Sequence, residues 1–205
     1  MKRILKVGLT GNMGCGKSEV RRALSRRGYP TIDADSLAKQ IAVSHPEAVR
    51  EIKARFGDEV YHADGSLNRR LLAQKVFGDA DALAALNRIL HPRVMQEVER
   101  QLQTLAQRGE AIAVIEAALF YETGWDRDMD AMVVVYAPLE DRIRWIMQRD
   151  GSTREQILAR MAHQMPLEEK VKRADFVIQN TGSLEHLNME VERLHRWLQE
   201  QRQKR

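Results

Sequence analysis

Residues 4–18 read ILKVGLTGNMGCGKS, an apolar run that leads directly into a glycine-rich loop. From Gly11 to Ser18 the loop fits the pattern G-x-x-x-x-G-K-[ST]; the apolar run predicts a strand before it, and the residues up to about 27 predict a helix after it. Glycines allow successive backbone N–H groups to surround an anion at the start of a helix. In that arrangement Lys17 would bridge the β- and γ-phosphates of a nucleoside triphosphate, and Ser18 would bind Mg²⁺. This stretch therefore predicts a strand, a phosphate loop (residues 11–18) and a helix.

Apolar segments at residues 30–32, 111–115, 131–136 and 176–178 predict four further strands. The runs at 4–9, 111–115 and 131–136 are continuous rather than alternating, as expected for strands that are buried on both faces. Helical patterns separate the strands, which favours a parallel sheet with right-handed crossovers. The predicted fold is a three-layer α/β fold of the P-loop NTPase type with a five-stranded parallel sheet.

Two regions extend beyond this minimal pattern. Residues 46–108 carry four helical segments and a predicted turn at 62–65, which is too much chain for one crossover, so we interpret them as a helical insertion over the active-site edge. Residues 138–173 predict a basic helical hairpin between the last two strands, which would form a lid. The plainer alternative is a solvated pair of helices. The basic residues of this second region are Arg142, Arg144, Arg149, Arg154, Arg160, Lys170, Lys172 and Arg173.

The last segment, residues 183–205, is predicted to be a helix that docks on the domain. Ser183 can cap its start. Five apolar residues then recur at helical spacing: Leu184, Leu187, Val191, Leu194 and Leu198.

The composition favours one globular domain in a reducing compartment. The chain has 205 residues, 43% of them hydrophobic and 30% charged, and none of its apolar runs has the roughly 18 residues of a membrane span. A net charge of +4 suits phosphate-bearing partners, but an aromatic content of 5% argues against nucleic acid. The single cysteine, Cys15, excludes an internal disulfide. We therefore expect a cytoplasmic protein with no membrane or nucleic-acid partner, as a monomer or small homo-oligomer.

Two carboxylates follow the second predicted strand, in the sequence Thr31-Ile32-Asp33-Ala34-Asp35. The carboxyl ends of parallel strands share one edge of the sheet, which is where ligands bind in such folds. Asp33 can there accept the proton of an attacking hydroxyl and orient its oxygen toward the γ-phosphorus. Asp35 either orients magnesium-bound water or caps the following helix, predicted at residues 36–43.

Cys15 lies inside the phosphate loop, near a helix N-terminus and Lys17. Both neighbours can lower the pKa of a thiol and make it reactive. The alternative, which we favour, is that Cys15 is only a small residue at a tolerant position.

A phosphate loop predicts nucleotide binding but does not identify the phosphate acceptor. The guanine-selecting pattern Asn-Lys-x-Asp does not occur in the sequence, nor do further helicase or transporter motifs. Three functions remain: a kinase for a substrate held by the long insertion, a kinase for another acceptor such as a nucleoside monophosphate or a sugar acid, and a nucleotide-dependent switch or RNA-binding ATPase.

Several short motifs, each weak alone, occur in order along the chain. Besides the phosphate loop they are Ile32-Asp33-Ala34-Asp35, Asp64-Gly65-Ser66-Leu67-Asn68-Arg69, Val76-Phe77, Ile89-Leu90-His91-Pro92, Arg149-Asp150, Gln164, and the closing run Ala174-Asp175-Phe176-Val177-Ile178-Gln179-Asn180-Thr181-Gly182. From about residue 4 to residue 194, their order and spacing resemble those of the dephospho-CoA kinase family.

The resemblance implies ATP-dependent, Mg²⁺-assisted phosphorylation of the ribose 3′-hydroxyl of dephospho-CoA, giving CoA and ADP in the final step of CoA biosynthesis. Asp33 then resembles the base, Arg149 the lid arginine that acts with Lys17 on the phosphates, and Asn180 an adenine contact. Arg69 and His91 fall in the region that holds dephospho-CoA, although His91 and Pro92 can equally end one helix and start the next. The residues predicted to bind ATP are Gly11, Asn12, Met13, Gly14, Cys15, Gly16, Lys17, Ser18, Glu19 and Asn180.

Three departures from the family pattern concern the site. The segment Glu116-Ala117-Ala118 keeps an acid that can face magnesium through water, but it lacks the family's proline. Arg142 and Trp145 stand where the family has a glutamine and an arginine. Either Arg142 or Arg144 then supplies the charge of the missing arginine, or Trp145 stacks on a planar group. Glu19 replaces a threonine and suits the start of a helix.

Overall fold

A computed structural model describes residues 3–76 and 79–204. Its strands are β1 (Leu5–Thr10), β2 (Thr31–Asp33), β3 (Ile112–Glu116), β4 (Ala131–Tyr136) and β5 (Phe176–Gln179). Its helices are α1 (Lys17–Arg26), α2 (Ala34–Ser44), α3 (Pro46–Phe56), α4 (Arg69–Val76), α5 (Ala80–Gln107), α6 (Phe120–Thr123), α7 (Leu139–Asp150), α8 (Arg154–Met161), α9 (Leu167–Lys172) and α10 (Leu184–Gln203). None of these helices is both long and apolar enough to cross a membrane.

Within the described residues, the five strands form one sheet in the order β2-β3-β1-β4-β5, and every pairing is parallel. The predicted α/β fold with a five-stranded parallel sheet is therefore confirmed, and the predicted strands differ from the observed ones by at most one residue at each end. β3 is buried along its whole length and β1 along almost all of it, since helices cover both faces of such a sheet. The carboxyl ends of β1, β2 and β3 bring the phosphate loop, Asp33 and Glu116 to one edge.

The chain divides into two compact units, one formed by Met1–Asp33 with Thr104–Arg205 and the other by Ala34–Gln103. The first unit contains the sheet. The second contains α2, α3, α4 and most of α5, together with a 3₁₀ turn at Asp58–Val60, and includes most of the region predicted as an insertion. Phe77 of the Val76-Phe77 motif lies outside the described residues.

The turn predicted at residues 62–65 is confirmed within the second unit. The backbone N–H of Gly65 donates to the carbonyl of His62 (2.9 Å), and that of Ser66 donates to the Asp64 carboxylate (2.9 Å). Tyr61, just before the turn, donates its hydroxyl to the carbonyl of Ala42 (2.6 Å) and so ties the turn to α2.

The alternative in which His91 and Pro92 separate two helices is wrong, because α5 continues through Pro92. A proline inside a helix removes one backbone hydrogen bond. The helix persists because one face is buried on both sides of the proline, including Ala85 and Ile89 before it and Val94 and Val98 after it.

The 138–173 segment forms three helices, α7, α8 and α9, and not the predicted two-helix hairpin. Gly151 ends α7 in a left-handed conformation, and Thr153 opens α8 with a capping box to Gln156. Pro166 then starts α9. The apolar residues that join α7 to α8, which include Ile146 and Ile157, also pack against Met13 of the phosphate loop.

The closing helix is confirmed, with one correction. Ser183 caps α10 by accepting from the backbone N–H of His186 (3.2 Å), as predicted. Leu187, Val191, Leu194 and Leu198 are buried, whereas Leu184 is 72% exposed. Leu184 is the first residue of the helix, beside the phosphate-loop cavity described below, so helical spacing alone wrongly assigned it to the core.

Candidate active site

The phosphate loop has a backbone that favours glycine at three positions, Gly11, Gly14 and Gly16, which all have a positive φ. Gly14 and Gly16 have φ angles of 83° and 87°, in the left-handed region. A Cβ at Gly14 would lie 2.8 Å from the side chain of Ile146, and one at Gly16 would lie 2.5 Å from the amide nitrogen of Asn180. The loop is therefore closely packed by residues from other parts of the chain.

Three hydrogen bonds from distant segments hold the phosphate loop. The side-chain oxygen of Gln164 accepts from the backbone N–H of Met13 (2.9 Å), and the carbonyl of Met165 accepts from the Asn12 amide (3.0 Å). On the other side, the Asn180 amide donates to the carbonyl of Cys15 (2.9 Å). These bonds explain why Gln164 and Asn180 accompany the loop in the sequence motif.

Lys17 lies folded over the loop. Its ammonium donates to the carbonyl of Gly11 (2.9 Å), which keeps a positive charge beside the ring of backbone N–H groups. Nothing in this arrangement conflicts with the predicted role of Lys17 as a phosphate ligand.

Four charged or polar side chains meet at the carboxyl ends of β2 and β3; we call Ser18, Arg21, Asp33 and Glu116 the rim cluster. The Ser18 hydroxyl donates to one oxygen of Glu116 (3.1 Å), and the Arg21 Nε donates to the other (2.5 Å). A terminal nitrogen of Arg21 lies 3.3 Å from the Asp33 carboxylate. Asp33 and Glu116 are paired residues on adjacent strands. Two of the three acids predicted to act with the substrate or the metal, Asp33 and Glu116, are thus joined by one arginine.

Arg21 is absent from the sequence prediction. It belongs to no motif, although a signal was present: it follows Ser18 by three residues, so both side chains lie on one face of α1.

A second acid–base group lies behind the phosphate loop; we call Glu122, Gln164, Met165 and Lys170 the clasp. The Lys170 ammonium lies 2.7 Å from the Glu122 carboxylate and donates to the carbonyl of Ala118 (2.9 Å). Glu122 also accepts from the backbone N–H of Met165 (2.8 Å). The Lys170 side chain is 0% exposed, and burial lowers its pKa although Glu122 opposes the change. Lys170, which the sequence suggested as one of the basic lid residues, is therefore a buried structural cation.

Cys15 is fully buried under the loop. Burial raises the pKa of its thiol, and the nearby Arg142 and Lys17 only partly oppose the change. The fold therefore does not make Cys15 a reactive thiol of low pKa. This agrees with the interpretation of Cys15 as a small packing residue.

A cavity of about 500 Å³ opens on the phosphate loop. One part is lined by Gly14, Gly16, Lys17 and other loop residues. Trp145, Ile146 and Leu184, from α7 and the start of α10, give the cavity an apolar wall, and charged side chains of α1, Glu19 and Arg22, also line it. The cavity therefore continues from an anion site into a surface suited to a planar, uncharged group.

Arg149 also lines this cavity, and its side chain is exposed. It forms a two-point ion pair with the adjacent Asp150 (2.6 and 2.9 Å), which lowers the pKa of that carboxyl. Arg142, one of the two candidates for the missing lid charge, is buried next to Gly14 instead. Within the described part of the chain, its Nε has no hydrogen-bond partner. The other candidate, Arg144, is exposed and paired with Asp141 (2.6 Å).

Three of the residues predicted to act in the site belong to the second unit: Asp35, Arg69 and His91. Asp35 lies in the first turn of α2, which starts two residues earlier than predicted, at Ala34. Burial lowers the pKa of His91, and the charge of Asp35 acts in the opposite direction. Arg69 is the first residue of α4 and is exposed.

The described residues contain no group of three or more His, Cys, Asp or Glu that could hold a metal ion by itself. A magnesium ion in a nucleotide site needs fewer protein ligands, because phosphates and water supply the others. Ser18 and Glu116 present neighbouring oxygens beside the phosphate loop, so their chemistry fits such an ion.

Comparison with known proteins gives a consistent result. A family model described as dephospho-CoA kinase matches residues 5–186. The chain is 38% identical over 191 residues to the dephospho-CoA kinase of Corynebacterium glutamicum, covering 93% of this chain and 96% of the relative. It is 43% identical over 187 residues to that of Thermus thermophilus, covering 91% and 88% respectively.

Solved structures show the same similarity. A Thermus thermophilus crystal structure matches with a TM-score of 0.81 at 38% identity, over 96% of this chain and 99% of the other. The dephospho-CoA kinase of Campylobacter jejuni matches with a TM-score of 0.70 at 29% identity, over 97% and 98%. A shikimate kinase from Acinetobacter baumannii, at 13% identity and a TM-score of 0.54 over 98% and 96%, shares the fold.

Proposed function

The chain belongs to the dephospho-CoA kinase family, and we propose that it transfers the γ-phosphate of ATP to the ribose 3′-hydroxyl of dephospho-CoA, giving CoA and ADP. The observation that supports this most strongly is the rim cluster. It links Ser18, at the end of the phosphate loop, through Glu116 and Arg21 to Asp33 along one edge of the sheet. Phosphoryl transfer requires an anion site and a hydroxyl-orienting carboxylate within reach of one acceptor oxygen.

The phosphate loop and Lys17 hold the ATP phosphates in this proposal. Backbone N–H groups of the loop bind the anion, apart from those of Met13 and Cys15, which donate to Gln164 and to the Asn12 carbonyl. Lys17 exchanges its contact with the Gly11 carbonyl for phosphate oxygens. Ser18 would hold Mg²⁺ directly and Glu116 would hold it through water. When bound, the ion neutralises charge on the β- and γ-phosphates. Asp35 stays a candidate for a similar water-mediated role.

Asp33 acts as the base. Its side chain is 27% exposed, so an acceptor hydroxyl can reach it. As the 3′-oxygen forms its bond to the γ-phosphorus, the hydroxyl proton moves to the Asp33 carboxylate and the bond to the β,γ-bridging oxygen breaks.

The apolar part of the cavity takes the nucleobase. Trp145 and the exposed Leu184 offer a flat surface next to the phosphate loop. Asn180 lines the same cavity, and because its amide nitrogen is used by Cys15, its amide oxygen is the group that can accept from adenine.

The 138–173 segment acts as the lid, and the helical region of residues 46–108 holds dephospho-CoA through Arg69 and His91. Arg149 is well placed for the lid role, because it lines the cavity and is paired only at the surface with Asp150. On closure Arg149 would leave Asp150 and bind the γ-phosphate, and the closed lid would exclude water from the reaction.

The test is a transfer assay with ATP labelled at the γ-phosphate and a panel of acceptors: dephospho-CoA, CoA, AMP and a sugar acid. We expect label on dephospho-CoA alone, at the 3′ position as located by NMR of the product. CoA is the matched control acceptor, since its 3′-oxygen already carries a phosphate. Label on AMP or the sugar acid with none on dephospho-CoA, or hydrolysis that only RNA stimulates, would reject the proposal.

A further inference from the structure

We propose that Arg21 is a positioning residue for phosphoryl transfer, which holds the Asp33 carboxylate in place through one guanidinium shared with Glu116. This inference rests on the proposed function, because it assumes that Asp33 is the base. It assigns a role to a residue that lies outside the phosphate-loop motif and outside every other motif of the chain.

The contacts of Arg21 are asymmetric. Its Nε donates to Glu116 at 2.5 Å, whereas the nearest terminal nitrogen is 3.3 Å from Asp33. Glu116 is almost fully buried and also accepts from Ser18, so both of its oxygens have partners. Arg21 is therefore fixed by Glu116, and Asp33 is oriented by the end of the guanidinium that remains.

The positions of Asp33 and Glu116 in the sheet explain why a guanidinium is needed between them. Asp33 and Glu116 are register partners on β2 and β3, and the backbones of adjacent strands lie only about 4.8 Å apart. Two carboxylates at this distance repel each other, and the repulsion favours rotamers that separate them. A planar guanidinium can present one N–H to each acid at the same time, which offsets the repulsion and keeps both carboxylates at the rim.

The chemistry depends on this geometry. A base must lie within hydrogen-bond reach of the acceptor hydroxyl, and a misplacement of about 1 Å can lower a rate by about 100-fold. Without the guanidinium, the repulsion between Glu116 and Asp33 is no longer offset, so we expect the Asp33 carboxylate to shift away from Glu116. The change also removes the cation that pairs with Glu116, so some loss of ATP–Mg²⁺ binding is expected beside the loss of rate.

A double-mutant cycle with Arg21→Gln and Asp33→Asn tests the inference. In the wild-type background we expect Arg21→Gln to lower kcat by about 10- to 100-fold, a larger effect than on KM for ATP. In the Asp33→Asn background the same change should lower the single-turnover rate by a clearly smaller factor, because only the part that acts through Glu116 remains. Arg21→Lys should recover only part of the rate, since one ammonium cannot serve both acids in the geometry of a guanidinium.

Arg26→Gln is the matched control, because Arg26 is an exposed arginine at the end of the same helix. We expect wild-type kinetics from it. Crystal structures of the wild type and Arg21→Gln give a readout that is independent of activity. The Asp33 side chain should change rotamer and move away from Glu116 in the variant.

The outcomes separate the two proposals. If the wild type phosphorylates dephospho-CoA but Arg21→Gln lowers the rate equally in both backgrounds, or leaves Asp33 unmoved, the role of Arg21 is rejected and the function stands. If the wild type does not phosphorylate dephospho-CoA at all, both proposals fall.

Discussion

The rim cluster and the clasp both place acids and bases beside one phosphate loop, but they differ in exposure. In the rim cluster, Arg21 and Asp33 are 23% and 27% exposed, so solvent or a substrate can reach them. In the clasp, Lys170 is completely buried against Glu122 and a backbone carbonyl. Under the proposed function, the accessible charges of Arg21 and Asp33 serve the reaction, whereas the buried charges of Glu116 and Lys170 hold their neighbours in place.

The energetics of the two groups differ for the same reason. A buried ion pair carries a large desolvation penalty that is offset only when both partners are present. The lowered pKa of Lys170 is consistent with that penalty, since burial is its main cause. Partly exposed pairs such as Arg21–Asp33 are screened by water and contribute less to stability.

The largest expected effect is on stability, from Lys170→Met. The change removes a fully buried cation from Glu122, whose side chain is 18% exposed, and takes the donor from the Ala118 carbonyl, so we expect the free energy of unfolding to fall by about 3 kcal/mol, the lower end of the range for a buried pair. Urea denaturation measures the change. Lys172→Met is the control, because Lys172 is exposed and pairs only at the surface with Glu169, so that variant should unfold like the wild type.

Adding Glu122→Gln to Lys170→Met should restore part of the lost stability. Glutamine removes the unpaired charge and keeps an oxygen for the backbone N–H of Met165. If the single and double variants are equally stable, the ion pair does not explain the loss.

Asp33→Asn should lower activity and leave stability almost unchanged, unlike Lys170→Met. We expect turnover to fall by at least about 100-fold, because the amide cannot accept the acceptor's proton, while ATP affinity and the urea midpoint stay close to wild type. A factor of 100 corresponds to about 2.7 kcal/mol of transition-state stabilisation. Steady-state kinetics with equilibrium nucleotide binding measures both quantities. Unchanged turnover would remove Asp33 from the role of base.

Trp145→Ala tests a third kind of contact, the apolar stacking of a nucleobase on an aromatic side chain. Stacking of a base on an aromatic side chain is worth about 1–3 kcal/mol, so we expect ATP affinity to fall by about tenfold or more. Inorganic tripolyphosphate, which has no base, should bind both proteins equally. Met147→Ala, an exposed change on the same helix, serves as the control, and an equal loss of tripolyphosphate binding would argue for damage to the loop instead.

The smallest expected effect is a pH dependence of stability from His91. Burial places its folded pKa below the ordinary value of about 6.5, so the unfolded chain binds more protons between the two values. The free energy of unfolding should therefore fall as the pH drops below about 6.5 and through the folded pKa. Comparison of wild type with His91→Gln between pH 7.5 and 5 isolates this contribution. A variant with the same pH slope as the wild type would exclude His91 as its source.

Local sequence patterns predicted most of the framework. The five strands follow from short apolar segments, three of them continuous, and the cap at Ser183 follows from the preference of helix starts for hydroxyl side chains. The family resemblance pointed to Gln164 and Asn180, and the structure shows that both contact the phosphate loop.

Features that depend on tertiary neighbours could not be predicted in this way. Lys170 has the sequence character of a surface lysine and is buried only because Glu122 and Ala118 surround it. Leu184 fits the helical repeat but lies at an exposed helix start. Arg21 contacts residues 12 and 95 positions away, and its spacing from Ser18 on α1 could not indicate those partners.

The close approach of Asn180 to Gly16 links the two ends of the polypeptide. The Asn180 amide occupies the space that any larger residue at position 16 would need, while it holds a carbonyl 165 positions earlier in the chain. Because Gly16 also has a φ of 87°, a new residue at this position must tolerate that backbone and must also be matched by a smaller side chain at position 180. In a directed-evolution library, positions 16 and 180 should be randomised together, because a larger residue at position 16 collides with Asn180 unless position 180 changes as well.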